Sequence, residues 1–167
     1  MSLDNIQLPT IVLQDLYRKS LVDLKTNEHE NDISKSIPFS FLGENRSHIT
    51  ILVQSEGNAY LPDEQLSFLT GVLNACKLNL SEVALVNLSN IQDPDYKKMI
   101  EVLDATKLIL FGIPALAIHL PFAIPDFQVQ KYDNRHYLLS PAIKLMIDDK
   151  VLKKKLWDSL KILFGIK

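Results

Sequence analysis

RHYLLSPAIKLMIDDKVLKKKLWDSLKILFG, residues 135–165, joins a strand-like run to a lysine-rich amphipathic helix through a Ser-Pro turn. Apolar residues recur at helical spacing along its second half, and Trp157 lies among them. We therefore expect Trp157 to anchor the helix in the core. Residues 153–155, Lys-Lys-Lys, fall on the other side of the helix. We interpret them as its solvated side, with phosphate binding as the alternative.

Ser140 and Pro141 mark the predicted start of this last helix. A serine N-cap accepts a hydrogen bond from the first turn, and proline suits the first helical position. A serine nucleophile would instead need a paired histidine and a glycine-rich turn, which residues 139–141 do not provide. The sequence therefore predicts a cap at Ser140.

Upstream, short apolar runs alternate with amphipathic segments. Strands are predicted in HITILVQS (48–55), SEVALVNL (81–88), TKLILFG (106–112) and FQVQKYD (127–133), and helices in residues 62–77 and 93–105. The third run is the most apolar, which predicts a central strand. Alternation of this kind indicates a three-layer α/β/α domain with a four-stranded, mainly parallel sheet.

The first 36 residues have a different character. Residues 6–24 predict a helix that carries Leu8, Ile11 and Leu16, and residues 25–36 are polar without periodicity. We therefore divide the chain into an N-terminal helical arm with a polar linker, 1–36, and an α/β domain, 37–167.

Composition excludes several classes of protein. The formal charge of −2 and the 47% apolar content are ordinary for a soluble domain and do not favour nucleic-acid binding. The single cysteine, Cys76, excludes an internal disulfide and is expected to be a buried thiol. The four histidines lack the spacing of a zinc site, so neither a metal nor a cofactor is expected. The N-terminus has no basic-then-apolar signal and no membrane span is predicted, so we expect a cytoplasmic protein.

Parallel α/β sheets bind ligands beyond the carboxyl ends of their strands. The side chains expected at that edge are Gln54, Ser55, Glu56, Asn58, Asn87, Gly112 and Ser140. These residues define a candidate pocket at the strand ends.

Residues 49–88 and 135–164 resemble the uracil-DNA glycosylase superfamily, and Gly112 and Ala115 match the Gly-x-x-Ala that ends the family's third strand. The resemblance implies the glycosylase-like fold. Residues 138–141 read Leu-Leu-Ser-Pro where that family has His-Pro-Ser-Pro, so Leu138 replaces the catalytic histidine. In the loop after the first strand, that family has a carboxylate that activates a water, and the resemblance places Ser55 at that position. Removing a base needs a positioned water and a donor to the leaving base.

The same pattern, with its Ser-Pro turn before a Leu-Trp helix, is similar to the psi subunits of bacterial DNA polymerase III. That resemblance implies a non-catalytic module that bridges replication proteins, with a clamp loader or a single-strand-binding-associated subunit as partner. The implied contact residues are Leu8, Ile11 and Leu16 of the arm and an apolar patch of Leu120, Phe122 and Phe127.

The alternative is an enzyme. A divergent base-excision glycosylase acting on a flipped base would use Glu56, Asn58 and Asn87 around its pocket, with direct DNA contact. His136 is the remaining candidate for the missing histidine.

Overall fold

A five-stranded mixed sheet organises residues 38–167, the part of the chain that the computed structural model describes. Its strands are β1 (Ile49–Val53), β2 (Val83–Asn87), β3 (Lys107–Phe111), β4 (Val129–Tyr132) and β5 (Arg135–Ser140). The spatial order is β2-β1-β3-β5-β4, and only β4 runs antiparallel to its neighbour. The predicted arm and linker, residues 1–36, lie outside the described residues.

The apolar runs explain which strands lie deepest. Every residue of β1 and β2 is buried, as continuous apolar runs require when both faces of a sheet are covered. β3 is central, which confirms the prediction from its sequence. The outer edge of β2 does not leave all its backbone groups unpaired, because Leu42 and Leu85 exchange two backbone hydrogen bonds of 2.9 Å.

The prediction of four strands is wrong. The strand-like run before the Ser-Pro turn, which the prediction did not count among the four strands of the sheet, is a complete strand at residues 135–140 that pairs with both β3 and β4. The reason is a two-residue turn at Asp133 and Asn134, which adopt positive φ angles of 48° and 59°. Asp and Asn tolerate this conformation, and such a turn folds two short strands into a hairpin.

Helices cover both faces of the sheet. They are α1 (Asp63–Ala75), α2 (Tyr96–Leu103), α3 (Ile143–Met146) and α4 (Lys150–Phe164). On one face, Ile51, Leu85 and Ile109 form a core with α1, α3 and α4. On the other face, Leu52 and Val86 pack with α2 and the connection after β3. The α/β class predicted from the sequence is confirmed.

The predicted serine cap is also wrong. Ser140 is buried as the last residue of β5, and its carbonyl accepts a 2.7 Å hydrogen bond from the N–H of Gly112. This bond continues the pairing of β3 with β5 up to the first residue of the Ser-Pro pair. The cap is instead Asp149, whose Oδ1 accepts from the N–H groups of Val151 and Leu152 at 2.8 and 3.0 Å.

The remaining predictions about side chains hold with one adjustment. Cys76 is buried, and burial raises the pKa of its thiol, which disfavours the reactive thiolate. Trp157 packs against the core but is only half-buried. The lysines of residues 153–155 are exposed. Within residues 38–167, no helix is both long and apolar enough to cross a membrane.

Candidate functional site

A cavity of about 470 Å³ opens at the carboxyl ends of β1 and β3. Among the residues predicted for this edge, Gln54, Ser55, Glu56 and Gly112 line it, together with Gln65 and Lys144. Asn58, Asn87 and Ser140 do not line it. The sequence therefore located the cavity but assigned it three residues that have other contacts.

Asn87 holds the loop that follows β1. Its Nδ2 donates to the carbonyls of Ser55 and Asn58 at 2.7 and 3.0 Å. Its Oδ1 accepts from the N–H groups of Ser55 and Ser89 at 3.0 and 3.1 Å. Both amide protons and both lone pairs of this buried side chain are thus used within the protein. Asn87 is therefore a structural brace and has no group left for reading a base.

Asn58 and Asn90 also donate hydrogen bonds to this loop. Asn58 Nδ2 donates to Ser55 Oγ at 3.1 Å and to the Glu56 carbonyl at 3.2 Å. Asn90 Nδ2 donates to the carbonyl of Ala59 at 2.9 Å. These contacts fix the shape of the loop, so its asparagines act as scaffold.

Gly112 and Ala142 set the width of the cavity at β3. Gly112 has a φ of +69°, and a Cβ built on it would lie 2.8 Å from the Cβ of Ala142. Only glycine permits both the conformation and this approach. Ser140 lies just below, fully buried, with its Oγ 3.3 Å from Met146 Sδ. Its hydroxyl is therefore not open to a ligand.

The catalytic candidates are not brought together. Glu56 is exposed on the loop after the carboxyl end of β1, whereas His136 pairs with Lys107 at the first residue of β3. The two side chains therefore belong to opposite edges of the sheet. Leu138 lies inside β5 and is fully buried in the core, packed on the same face as Ile109. A histidine at that position would lie in the core and would not line the cavity.

The connections at the carboxyl edge are acidic. Residues 54–62, 88–95, 112–128 and 141–149 carry six carboxylates and one lysine. The carboxylates are Glu56, Asp93, Asp95, Asp126, Asp148 and Asp149, and the lysine is Lys144. A DNA-processing site needs the opposite charge, since each phosphate contact is normally made by a basic group. In the described residues, no cluster of His, Cys, Asp and Glu could hold a metal ion.

A second candidate site is apolar and lies beyond β3. Leu116 is 81% exposed on a short 3-10 helix, Ala115–Ile118. It borders a cavity of about 400 Å³, and the residues that define this Leu116 surface are Pro114, Ala115, Leu116, Pro121 and Phe122. Contiguous exposed apolar surface is typical of protein-contact sites, and here Leu116 is continuous with the apolar residues that line the cavity.

The predicted apolar patch is divided between the two faces of the sheet. Phe122 lies on the α2 side, where its ring centroid is 4.7 Å from that of Tyr132 and 5.4 Å from that of Tyr137. Leu120 is on the same side but is buried. Phe127 packs on the opposite core, with Lys155 Nζ 5.9 Å from its ring. Of the three predicted residues, Leu120 and Phe122 line the cavity beside Leu116, and Phe127 does not.

Sequence reasoning missed Leu116, although a signal was present. Pro114 and Pro121 confine the segment between them to a short helix, and Ile118 fills its inward position. A single short turn cannot bury every apolar side chain of the segment. Leu8, Ile11 and Leu16, the predicted contacts of the arm, lie outside the described residues.

The sequence matches no protein-family model, and no curated protein is significantly similar to it. The function must therefore be argued from the geometry of the two sites.

Proposed function

We propose that this protein is a non-catalytic protein-interaction module, similar to the psi subunits of DNA polymerase III, that bridges replication proteins. The proposal takes the glycosylase-like fold as its scaffold and assigns binding to the Leu116 surface. The observation that carries it is the 81% exposure of Leu116 beside the half-buried ring of Phe122. A partner's apolar side chains would cover both, and such anchors supply most of an interface's binding energy.

The state of the carboxyl edge supports a non-catalytic role. His136 lies at the edge of the sheet opposite Glu56, and Asn87 is fully used in bracing the loop. Negative charge at this edge would repel a DNA backbone. In residues 38–167 a cavity lies in the position typical of α/β enzymes, but Glu56 and His136, the groups that the glycosylase alternative requires, are not brought together at it.

The aromatic contacts around Phe122 support the choice of surface. Phe122 makes a tilted contact with Tyr132 and a T-shaped contact with the buried Tyr137, so its ring is held in place before any partner binds. A rigid aromatic loses little conformational entropy on binding, which favours affinity. The arm, through Leu8, Ile11 and Leu16, would supply the second contact that a bridging protein needs.

Affinity capture from cells that produce the protein tests the proposal. The full chain is compared with a chain that lacks residues 1–30, and retained proteins are identified by mass spectrometry. We expect clamp-loader or single-strand-binding components with the full chain only. A parallel assay follows uracil release from single-stranded DNA. If the protein releases uracil, the Glu56→Gln variant does not, and no replication protein is captured, the glycosylase alternative replaces the proposal.

A further inference from the structure

An apolar groove separates α1 from α4, on the sheet face opposite the Leu116 surface. It encloses about 320 Å³. The buried side chains of Leu156 and Leu160 form its floor, and the half-buried Phe68 and Trp157 stand beside them. Two large aromatic rings at a partly open apolar groove are the composition typical of the centre of an interface.

Gly71 keeps this groove open. It lies in the middle of α1, where glycine costs about 1 kcal/mol of helix stability relative to alanine. Packing does not require it, because a Cβ built at Gly71 would meet no atom within 4 Å. Gly112, in contrast, is required by both its φ angle and its contact with Ala142. The glycine at position 71 therefore lowers stability and leaves space in the groove.

The charge at the groove is positive. Of the residues that line it, only Lys153 is charged, and its Nζ lies 5.6 Å from the centroid of the Phe68 ring. Lys150 and Lys154 are exposed on the same helix. The neighbouring carboxylates are Asp158, which is paired with Lys161 at 2.9 Å, and the exposed Glu64, one turn before Phe68 on α1. An approaching segment would thus meet apolar side chains in the groove and ammonium groups along one side. That combination is complementary to a peptide with apolar anchors and neighbouring carboxylates.

We propose that the α1–α4 groove binds an acidic, amphipathic peptide segment of a partner protein, with its apolar side chains against Trp157 and Phe68 and its carboxylates facing Lys153. The site is separate from the Leu116 surface and does not depend on it. Because the two lie on opposite faces of the sheet, both could be occupied at once.

Trp157 provides a direct measurement. It is the only tryptophan in the chain, so intrinsic emission on excitation of tryptophan reports the groove alone. The probe is a synthetic amphipathic peptide with leucines at helical spacing, flanked by glutamates. A second peptide has every glutamate replaced by lysine. With the full-length protein we expect a saturable blue shift for the acidic peptide and none for the basic one.

Two variants test the geometry. Gly71→Leu fills the groove and, since leucine is a better helix former, should unfold at a higher temperature while losing the blue shift. Asn74→Leu is the matched control, because Asn74 is exposed on the same helix and does not line the groove. Lys153→Glu should weaken binding of the acidic peptide by about tenfold.

The proposal is overturned if the acidic peptide binds Gly71→Leu as strongly as it binds the unaltered protein. It is also overturned if the peptide does not bind the unaltered protein. Self-association that Gly71→Leu abolishes would assign the groove to a second copy instead. Leu116→Asp should leave the blue shift unchanged, because the Leu116 surface lies on the other face of the sheet. A failure of the groove proposal is therefore distinguishable from a failure of the proposed function.

Discussion

The side-chain amide of Asn87 and the backbone of Ser55 are joined in both directions: Nδ2 donates to the carbonyl at 2.7 Å, and Oδ1 accepts from the N–H at 3.0 Å. Asn87 ends β2 and Ser55 follows β1, so this pair ties two neighbouring strands together at the carboxyl edge. A position that could face a ligand in an enzyme of this class is here committed to holding the fold.

Asn87→Ala should lower the free energy of unfolding by about 3 kcal/mol, because buried backbone groups of the loop lose their partners. Urea denaturation measures the loss. Asn90→Ala is the control, since Asn90 is exposed and braces the same loop only through carbonyls. Its cost should be about 1 kcal/mol or less. Equal losses in the two variants would contradict the assigned role of Asn87.

Gly112 and Gly57 both have positive φ angles, 69° and 75°, but only Gly112 is crowded. Gly112→Ala should therefore cost about 3 kcal/mol, the sum of backbone strain and a clash with Ala142. Gly57→Ala should cost about 1 kcal/mol, because a Cβ there meets nothing. Thermal unfolding of both variants checks the difference, and a smaller loss at position 112 than at position 57 would refute the close approach.

The burial of Tyr137 predicts that the stability of the fold depends on pH in the alkaline range. It is fully buried, its hydroxyl has no hydrogen-bond partner, and burial raises the pKa of Tyr137 to about 12. The unfolded phenol has a pKa of about 10, so above that pH the unfolded chain loses a proton that the folded chain keeps. The contribution of Tyr137 to stability is therefore constant below pH 10 or so and falls as the pH rises toward about 12.

Tyr137→Phe removes this titration. The variant should lie within about 1 kcal/mol of the unaltered protein at neutral pH, because no hydrogen bond is lost. Its stability should fall less steeply than that of the unaltered protein above pH 10 or so. Urea midpoints measured across the alkaline range test this. Parallel curves for the two proteins would show that the phenol ionises equally in both states.

Leu138→His restores the histidine that the glycosylase resemblance would place at this position, yet we expect no base release. Leu138 is fully buried within β5, so the substitution should cost about 3 kcal/mol through lost packing and an unpaired imidazole. Leu145→His is the control, since Leu145 is exposed on α3 and should lose little. A stable Leu138→His protein that releases uracil from single-stranded DNA would contradict the assignment.

Much of the fold could be predicted from the sequence, because its apolar runs are long enough to require burial on both faces. β1, β2 and β3 all fall inside the predicted runs, and β3 is central as expected. The hairpin was missed because Asp133-Asn134 lacks the glycine that usually marks such a turn. Ser140 was misassigned because a Ser-Pro pair also occurs where strand pairing simply continues, and local sequence does not report pairing with a distant strand.

The candidate sites were less predictable. The carboxyl-edge cavity follows from topology, so Glu56 and Gly112 could be placed there in advance. The role of Asn87 could not, since it depends on a loop from another strand. Phe122 and Phe127 are close in sequence, yet they pack on opposite faces of the sheet. Exposure of Leu116 depends on the helix between two prolines being a single turn, which composition alone does not determine.

The claim that the Leu116 surface binds the partner proteins is tested most directly by comparing which proteins the Leu116→Asp variant and the unaltered chain capture. Ile162→Asp is the matched control, because Ile162 is 73% exposed on α4 and lies outside the Leu116 surface. Both variants should fold, since each alters an exposed side chain. The account predicts that Ile162→Asp retains the replication proteins captured by the unaltered chain and that Leu116→Asp loses them. Equal capture by both variants would contradict it.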